Sequence, residues 1–455
     1  MLRGKTLLDK LFQGKTLLAL VVGLVPLFLF PTMTVLDFRN TLYVDMELHY
    51  GGKVLLLGVL VALLVYSAYR EQTATGKWPL VDGVLLAFVG WTFLTALLSE
   101  HRLTGLFGWP WRWQGAFTHL LYLGVFTFAA HHGRGAAARG RLLDAAFLAG
   151  AVTALVVVAV YLGAPPLEVT VGGTDFKVGS PIGNRNFLGS YLCMLALAAM
   201  FRHLQDRSGS KRHFLLTVLL FAGLLVSQTR GAWLGFAAAL PVMLFLLRGE
   251  WRRIRKGFLA LLGSFLLVAV LLDWAGAGRL GSRIDNALDQ VEMAQAGDVA
   301  QLGTSRLYIY QRSLEVFLAN PVFGTGPDNL AHHIQVSEED NETYFGGGVV
   351  AILDKAHSEY LEYAATLGLP GLLLYLWFAG RLVLGAIRRK DRLDPVQWGA
   401  LAGAGGYLLQ ATFNIGTIGV LPVFYFLAGL LKKGGTEGMQ GKEQTDQMLE
   451  TPEDA

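Results

Sequence analysis

The sequence predicts an all-α protein that crosses a membrane about twelve times and carries one large loop on the outer side. Hydrophobic residues make up 53% of the 455 residues and charged residues only 16%, which is more apolar surface than one soluble core can hide. The apolar residues form runs close to the roughly 20 residues that one membrane crossing needs. Most Lys and Arg residues fall in the short segments between these runs, as they do in multi-pass membrane proteins.

Twelve apolar runs can serve as spans. They cover approximately residues 16–34, 51–69, 80–98, 116–131, 142–163, 187–201, 214–229, 231–247, 257–272, 370–387, 396–413 and 415–431. The first run follows a basic segment and lacks a small-residue cleavage site, so we expect a retained span rather than a signal peptide.

The basic residues set the expected orientation. With the N-terminus in the cytoplasm, 26 of the 38 Lys and Arg residues fall on the inner side, and basic segments resist translocation. We therefore expect both termini inside. The predicted regions are residues 1–272 with nine spans, 273–358 as the large extracytoplasmic loop, 359–431 with a short interfacial helix and the last three spans, and 432–455 as a disordered cytoplasmic tail.

Charge and cysteine content exclude several classes of protein. The formal charge is +4, but the basic residues are spread over many loops, which indicates membrane topology and contact with membrane lipid rather than nucleic-acid binding. Cys193 is the only cysteine and lies in an apolar run. No intrachain disulfide can form, and we expect no thiolate metal site.

The long loop contains helical patterns. Thr304 to Ala319 has apolar residues at helical spacing and predicts an amphipathic helix on the outer leaflet or under a lid, which Asn320-Pro321 ends. Gly324-x-Gly326 predicts a turn and not a nucleotide fingerprint, because no strand precedes it. Ser358 is expected to cap a helix of about nine residues, which the Gly368-to-Gly371 segment breaks before the next span.

Arg230 is the most informative single residue. The 34 residues from Phe214 to Leu247 give about 51 Å of helix, whereas two crossings need about 60 Å. The tip of this hairpin cannot protrude, so the guanidinium is held at the outer headgroup level, where it is costly unless it faces an anion or water. Arg230 is therefore either an anchor that reaches lipid phosphate or part of a site for an anionic substrate.

Other polar residues on the outer side extend this candidate site. Asn184, Arg185 and Asn186 precede the sixth span and can converge with Arg230 on one anion, or form a solvated cap. Arg306 and Arg312 lie six residues apart on the predicted loop helix, so they do not share a face, and we expect Arg306 to point into the site.

His357 is the candidate general base or phosphate ligand, with an ordinary pKa near 6.5, although a lone loop histidine is commonly just solvated. Asp328 with His332 and His333 could suggest a metal, but adjacent histidines point apart and no ligand spacing recurs, so we expect none. Ionisable residues are almost absent from the middle of the spans. This argues against an ion-coupled transporter and favours chemistry on an anionic headgroup.

The ordered set of these motifs resembles the O-antigen ligase and polymerase superfamily. His357-Ser358, nine residues, Gly368, two residues and Gly371 follow its His-Asn/Ser/Gln pattern. The other segments that fit are Gly183 to Leu188 before a span, Thr229 to Trp233 at a hairpin tip, and Ser305-Arg306 with Asn320 to Pro327 in the loop. The motifs cover roughly residues 180–380.

The resemblance implies a membrane glycosyltransferase similar to the C-type architecture, which takes a glycan from an undecaprenyl-diphosphate carrier at the outer face of the bacterial cytoplasmic membrane. It implies no metal or cofactor and inversion of the anomeric centre. Arg230 and Arg306 would neutralise the diphosphate, and His357 would position or deprotonate the acceptor hydroxyl. The further candidates for contacts to the donor are Arg185, Asn184, Asn186, Arg312 and Ser358.

The acceptor is left open by the sequence. The lipid A core of lipopolysaccharide, a growing polysaccharide or a protein hydroxyl would all use the same donor site, so the expected ligase has a polymerase and a protein O-oligosaccharyltransferase as alternatives. A small-anion transporter and a non-catalytic lipid-glycan binding protein are the alternatives from other classes.

Overall fold

A computed structural model of the chain describes residues 13–28, 46–164, 167–171, 174–178, 180–283, 285 and 304–432. The predicted disordered tail from residue 433 and residues 286–303 of the predicted loop lie outside the described residues. So do the basic residues Arg3, Lys5 and Lys10.

The described chain is built mainly of α-helices. In order they are α1 (Gly14–Leu24), α2 (Met46–Thr75), α3 (Gly83–Leu98), α4 (Arg102–Phe107), α5 (Ala116–His132), α6 (Ala136–Tyr161), α7 (Arg185–Gln205), α8 (Lys211–Val226), α9 (Arg230–Leu246), α10 (Trp251–Ala275), α11 (Thr304–Ala319), α12 (Leu330–His333), α13 (Glu338–Phe345), α14 (Glu359–Arg388), α15 (Pro395–Gln410) and α16 (Leu421–Leu430).

A helix lies at each of the twelve predicted spans. By length and composition, five stretches of the described residues can cross a membrane. They are Tyr50–Thr75, Ala136–Tyr161, Arg185–Gln205, Arg248–Ala275 and Glu359–Arg388. The apolar character and the helical fold are therefore confirmed, while the number of twelve crossings stays a prediction.

One short β hairpin that the sequence analysis did not predict lies within this helical fold. An antiparallel hairpin joins α6 to α7, with β1 (Leu167–Val171) and β2 (Thr174–Val178) paired in register from Leu167 with Val178 to Val171 with Thr174. The physical reason was present in the sequence: alternating β-branched residues flank Gly172-Gly173, a dipeptide typical of two-residue hairpin turns. The search for apolar spans passed over it because the segment is polar.

Helix α7 lies at the centre of the molecule. Within the protein, 94% of the apolar stretch of α7 is buried, whereas only 17% of the apolar stretch that includes α10 is buried. Helix α7 packs on α8, α9 and α15. Glycines of α15 allow the close approach: a Cβ on Gly399 would lie 2.5 Å from the carbonyl O of Ala198, and one on Gly403 would lie 2.7 Å from that of Met194. Central packing thus fixes the N-terminal end of α7, which carries Arg185.

Helix α14 begins and breaks where the sequence predicts. The Ser358 side chain caps it by accepting the Leu361 N–H, and the backbone leaves the helical region at Gly368, with φ 68° and ψ −177°. The span continues beyond this kink to Arg388. The predicted helix start at Ser358 and the break at Gly368 are therefore present, while the membrane crossing after the break stays a prediction.

The turn after α11 packs against this kink. The Leu369 N–H donates to the Pro321 carbonyl at 2.8 Å, and the Gly326 N–H donates to that of Thr366 at 2.8 Å. A Cβ on Gly368 would lie 2.1 Å from the carbonyl O of Val322, so only glycine permits the contact. The Gly324-x-Gly326 turn therefore joins the segment after α11 to the helix that begins beside His357.

Candidate active site

The candidate site forms where the beginnings of three helices meet. Hydrogen bonds tie α9 to α7, since the Thr229 hydroxyl donates to the Arg185 carbonyl at 2.8 Å. They also tie the segment after α15 to α7, since the Asn414 side-chain amide donates to the Asn186 carbonyl at 2.8 Å. The Glu359 N–H donates to the Asn414 carbonyl at 3.0 Å and brings in α14. The beginnings of α7, α9 and α14, which are far apart in the sequence, therefore lie next to one another.

Phe413 is contacted by Arg306 and by the beginning of α9. Arg306 donates from Nη1 to the Phe413 carbonyl at 3.3 Å. Gly231, the neighbour of Arg230, packs so closely on Phe413 that an added Cβ would lie 2.9 Å from the Phe413 Cβ. The helix beginning that carries Arg230 and the side chain of Arg306 thus both lie against Phe413.

A third arginine, Arg283, was not predicted. Partial burial and then the positive charges of Arg185 and Arg230 lower the pKa of its guanidinium. Its buried Nε has no hydrogen-bond partner among the described residues. No local pattern distinguishes Arg283 from the other basic residues of the loop, because its neighbours here come from distant segments. The result is a concentration of positive charge that suits an anion.

Arg312 is placed differently from Arg306. Its Nη1 pairs with Glu315 Oε2 at 2.6 Å on the same helix, where 36% of the Arg312 side chain and 45% of the Glu315 side chain are exposed. Because Arg312 and Arg306 are six residues apart, they lie on different faces of α11, as the spacing predicts. The Arg312 guanidinium is therefore paired with Glu315 within α11 and is not grouped with Arg185, Arg230 and Arg283.

Two of the predicted polar residues serve the helices. The Asn184 side chain caps α7 by accepting the Asn186 N–H at 2.8 Å. Ser358 caps α14 and is buried. The Asn184 side chain thus fixes the beginning of α7, which carries Arg185. The Ser358 side chain fixes the beginning of α14, which lies beside His357.

His357 lies in a left-handed backbone conformation with φ 53°. Burial, and then the positive charges of Lys355 and Arg306, lower its pKa to about 3. Its Nδ1 is buried and has no hydrogen-bond partner among the described residues. The imidazole is therefore neutral at ordinary pH and can accept a proton or a hydrogen bond from a hydroxyl.

Beside His357 lies a buried ionic cluster that the sequence reasoning missed. Arg112, from the segment between α4 and α5, contacts the carboxylates of Asp328, Asp354 and Glu362. Asp328 is thus paired with an arginine, and His332 stacks on His101 at 3.7 Å between ring centroids. The adjoining cavity of about 30 Å³ holds about one water molecule and is too small for a sugar.

The long apolar helices indicate an integral membrane protein. Residues 215–376 match the family model described as O-antigen ligase, which confirms the resemblance of the chain to the O-antigen ligase superfamily. The match includes Arg230, Arg306, His357 and the kink at Gly368, while Arg112 and Arg185 precede it. No curated protein matches the chain. The family indicates membrane glycan transfer of the ligase type.

Proposed function

We propose that the protein is a metal-independent, inverting glycosyltransferase that moves a glycan from undecaprenyl diphosphate to an acceptor hydroxyl. The supporting observation is that Arg306 donates to the Phe413 carbonyl, against which the beginning of α9 beside Arg230 packs, and that Arg306 is close enough to His357 to lower its pKa. The proposal includes twelve spans in a C-type architecture, both termini in the cytoplasm, and the site on the outer face of the bacterial cytoplasmic membrane.

The arginines act on the leaving group. As the bond from the anomeric carbon to the phosphate oxygen breaks, negative charge grows on the diphosphate, and charge-assisted hydrogen bonds from Arg230 and Arg306 stabilise it. Arg185 and Arg283 add positive charge nearby. Fixed guanidinium groups in a half-buried site supply what a divalent cation would otherwise supply, which supports the metal-independent form of the proposal.

His357 acts on the acceptor. The acceptor oxygen attacks the anomeric carbon on the face opposite the diphosphate, and its proton passes to an imidazole nitrogen of His357. Undecaprenyl diphosphate leaves, and the anomeric centre is inverted. Tyr310 donates to the His357 carbonyl at 3.4 Å and holds the backbone of this residue against α11.

The ligase form of the reaction is our choice, with the lipid A core as the acceptor. A growing polysaccharide would make the protein a polymerase, and a protein hydroxyl would make it an O-oligosaccharyltransferase. All three reactions use the same donor contacts.

The test is transfer by the purified protein in nanodiscs, with an undecaprenyl-diphosphate glycan, each of the three acceptors, and EDTA. We expect release of undecaprenyl diphosphate, and a loss of about 10- to 100-fold for Arg230→Ala or Arg306→Ala, because a charged hydrogen bond contributes ~1.5–3 kcal/mol. His357→Ala should lose about 100-fold or more. Arg312→Ala is the control on the same helix as Arg306 and should change the rate less than about threefold, since Glu315 already holds Arg312.

The product also separates the acceptors, because a ligase gives a single addition and a polymerase gives a ladder. Donor binding without product from any acceptor would favour the binding protein or the transporter. Full activity of His357→Ala would contradict the proposed mechanism.

A further inference from the structure

A single buried guanidinium binds three carboxylates directly behind His357. Arg112 Nη2 lies 3.2 Å from Glu362 Oε1 and also contacts Asp328, while Arg112 Nε lies 3.5 Å from Asp354 Oδ2. Only 3% of the Arg112 side chain is exposed. Burial by itself lowers the pKa of Arg112, but the three carboxylates outweigh it and raise the pKa, so the arginine stays charged.

The cluster reaches the backbone that carries His357. The second oxygen of Glu362 accepts the N–H of Ala356 at 2.7 Å, and Ala356 is fully buried. Arg112 therefore holds the segment before His357 at two points, through Asp354 and through Glu362 with Ala356.

This anchoring is needed because the conformation of His357 is costly. A non-glycine residue with positive φ persists only where its surroundings determine it from several sides. The Ser358 cap and the Tyr310 hydroxyl hold the far side of His357. On the near side, the contacts to Asp354 and Ala356 hold it, together with the packing of Leu353 and Ala356 in an apolar cluster.

Arg112 is itself held rigidly. Asp328 Oδ2 accepts the N–H groups of Trp109 at 2.6 Å and of Gln114 at 3.0 Å, which are on either side of Arg112 in the chain. Asp328 thus fixes the segment that presents the guanidinium as well as the guanidinium itself. The cluster is a rigid support and has no free arm for substrate.

We propose that Arg112 is a positioning residue for His357, which acts through Glu362 and Ala356 to hold the imidazole toward the acceptor hydroxyl. The inference rests on the proposed function, because it takes His357 as the group that meets the acceptor. It adds a residue that lies outside the matched family segment and contacts neither donor nor acceptor.

The test compares Arg112→Lys with Arg139→Lys in nanodiscs. Lysine keeps the charge but lacks the planar fork through which Arg112 contacts carboxylates from two different nitrogens, Nε and Nη2. Arg139 is the matched control, because it is also buried and binds a carboxylate, Asp394, but in a contact that joins α6 to α15. We expect kcat to fall about 30-fold or more for Arg112→Lys, with the Kd for the undecaprenyl-diphosphate glycan changed less than about threefold, and little change in either for Arg139→Lys.

Two readouts distinguish positioning from simple loss of structure. In a double-mutant cycle, Arg112→Lys should slow His357→Ala by less than about threefold, because the residue that it positions is gone. Glu362→Gln keeps an acceptor for the Ala356 N–H and should retain most of the rate, whereas Glu362→Leu should lose it. If Arg112→Lys fails to fold, the comparison of Glu362→Gln with Glu362→Leu still tests the proposal.

The possible failures are distinguishable. If the losses from Arg112→Lys and His357→Ala multiply, or if Arg112→Lys weakens donor binding as much as turnover, the positioning inference is wrong while the transferase proposal stands. If the wild-type protein makes no product with any acceptor, the proposed function is wrong.

Discussion

The protonation of His357 sets a testable pH dependence. The pKa is lowered from 6.5 to about 3, so the neutral imidazole that a base requires is present across the range from pH 5 to 8. Since kcat/KM reports the groups of the free enzyme, the profile should show no acid limb near pH 6.5. The measurement is kcat/KM for transfer from pH 8 down to pH 5, and an acid limb near 6.5 that His357→Gln removes would show that the imidazole is solvated.

A melting temperature at each pH is the control for that profile. The folded pKa of His357 lies below the unfolded value, so the unfolded state binds the proton first. The contribution of His357 to stability is therefore present above pH 6.5 and is lost as the pH falls from about 6.5 toward 3. Loss of activity that follows the melting temperature reports unfolding rather than titration of the base.

At the residue scale, sequence reasoning found the residues that motifs mark and missed those that only the fold brings in. Arg230, Arg306 and His357 each stand in a recognisable local pattern, and Arg306 lies close enough to His357 to lower its pKa. Arg112 has no such pattern, because its partner Glu362 is 250 positions away in the chain. A contact of that separation depends on helix packing, which periodicity does not reveal.

At the element scale, the kink of α14 gives a matched pair of substitutions. Gly368→Ala should lower stability by about 2 kcal/mol or more, because φ is positive and the new methyl group meets the Val322 carbonyl. Gly380→Ala on the same helix has open space around it and should be neutral or stabilising by up to about 1 kcal/mol. Thermal unfolding in detergent measures both, and equal effects would contradict the docking of the turn on the kink.

Helix bounds were predictable, but helix faces were not. The bounds of α11 agree with the prediction, but the spacing did not say which apolar side chains face the protein: Leu307, Leu314 and Leu318 are exposed. Tyr308 and Ile309 are buried instead. In a membrane protein both lipid and protein interior accept apolar side chains, so hydrophobicity alone does not say which face points inward.

At the scale of the whole molecule, the predicted topology can be tested by labelling. Cys193 is buried, and its replacement by alanine gives a background without cysteine. In that background Val349→Cys, at a position 96% exposed, should react with a membrane-impermeant maleimide on intact spheroplasts. Gly249→Cys, which has open space around it, should react only after permeabilisation. The reverse labelling pattern would contradict the predicted topology.

The docking of the turn after α11 on the kink of α14 has a consequence for building chimeras between relatives. Residues 321–326 and 365–369 are separated in the chain but form one hydrogen-bonded joint. Consider a chimera that exchanges the loop containing α11 and has its junction between these two segments. Such a chimera would place the turn of one relative against the kink of another. Exchanging both segments together keeps the joint intact, so the natural unit of recombination runs from the loop through the first half of α14.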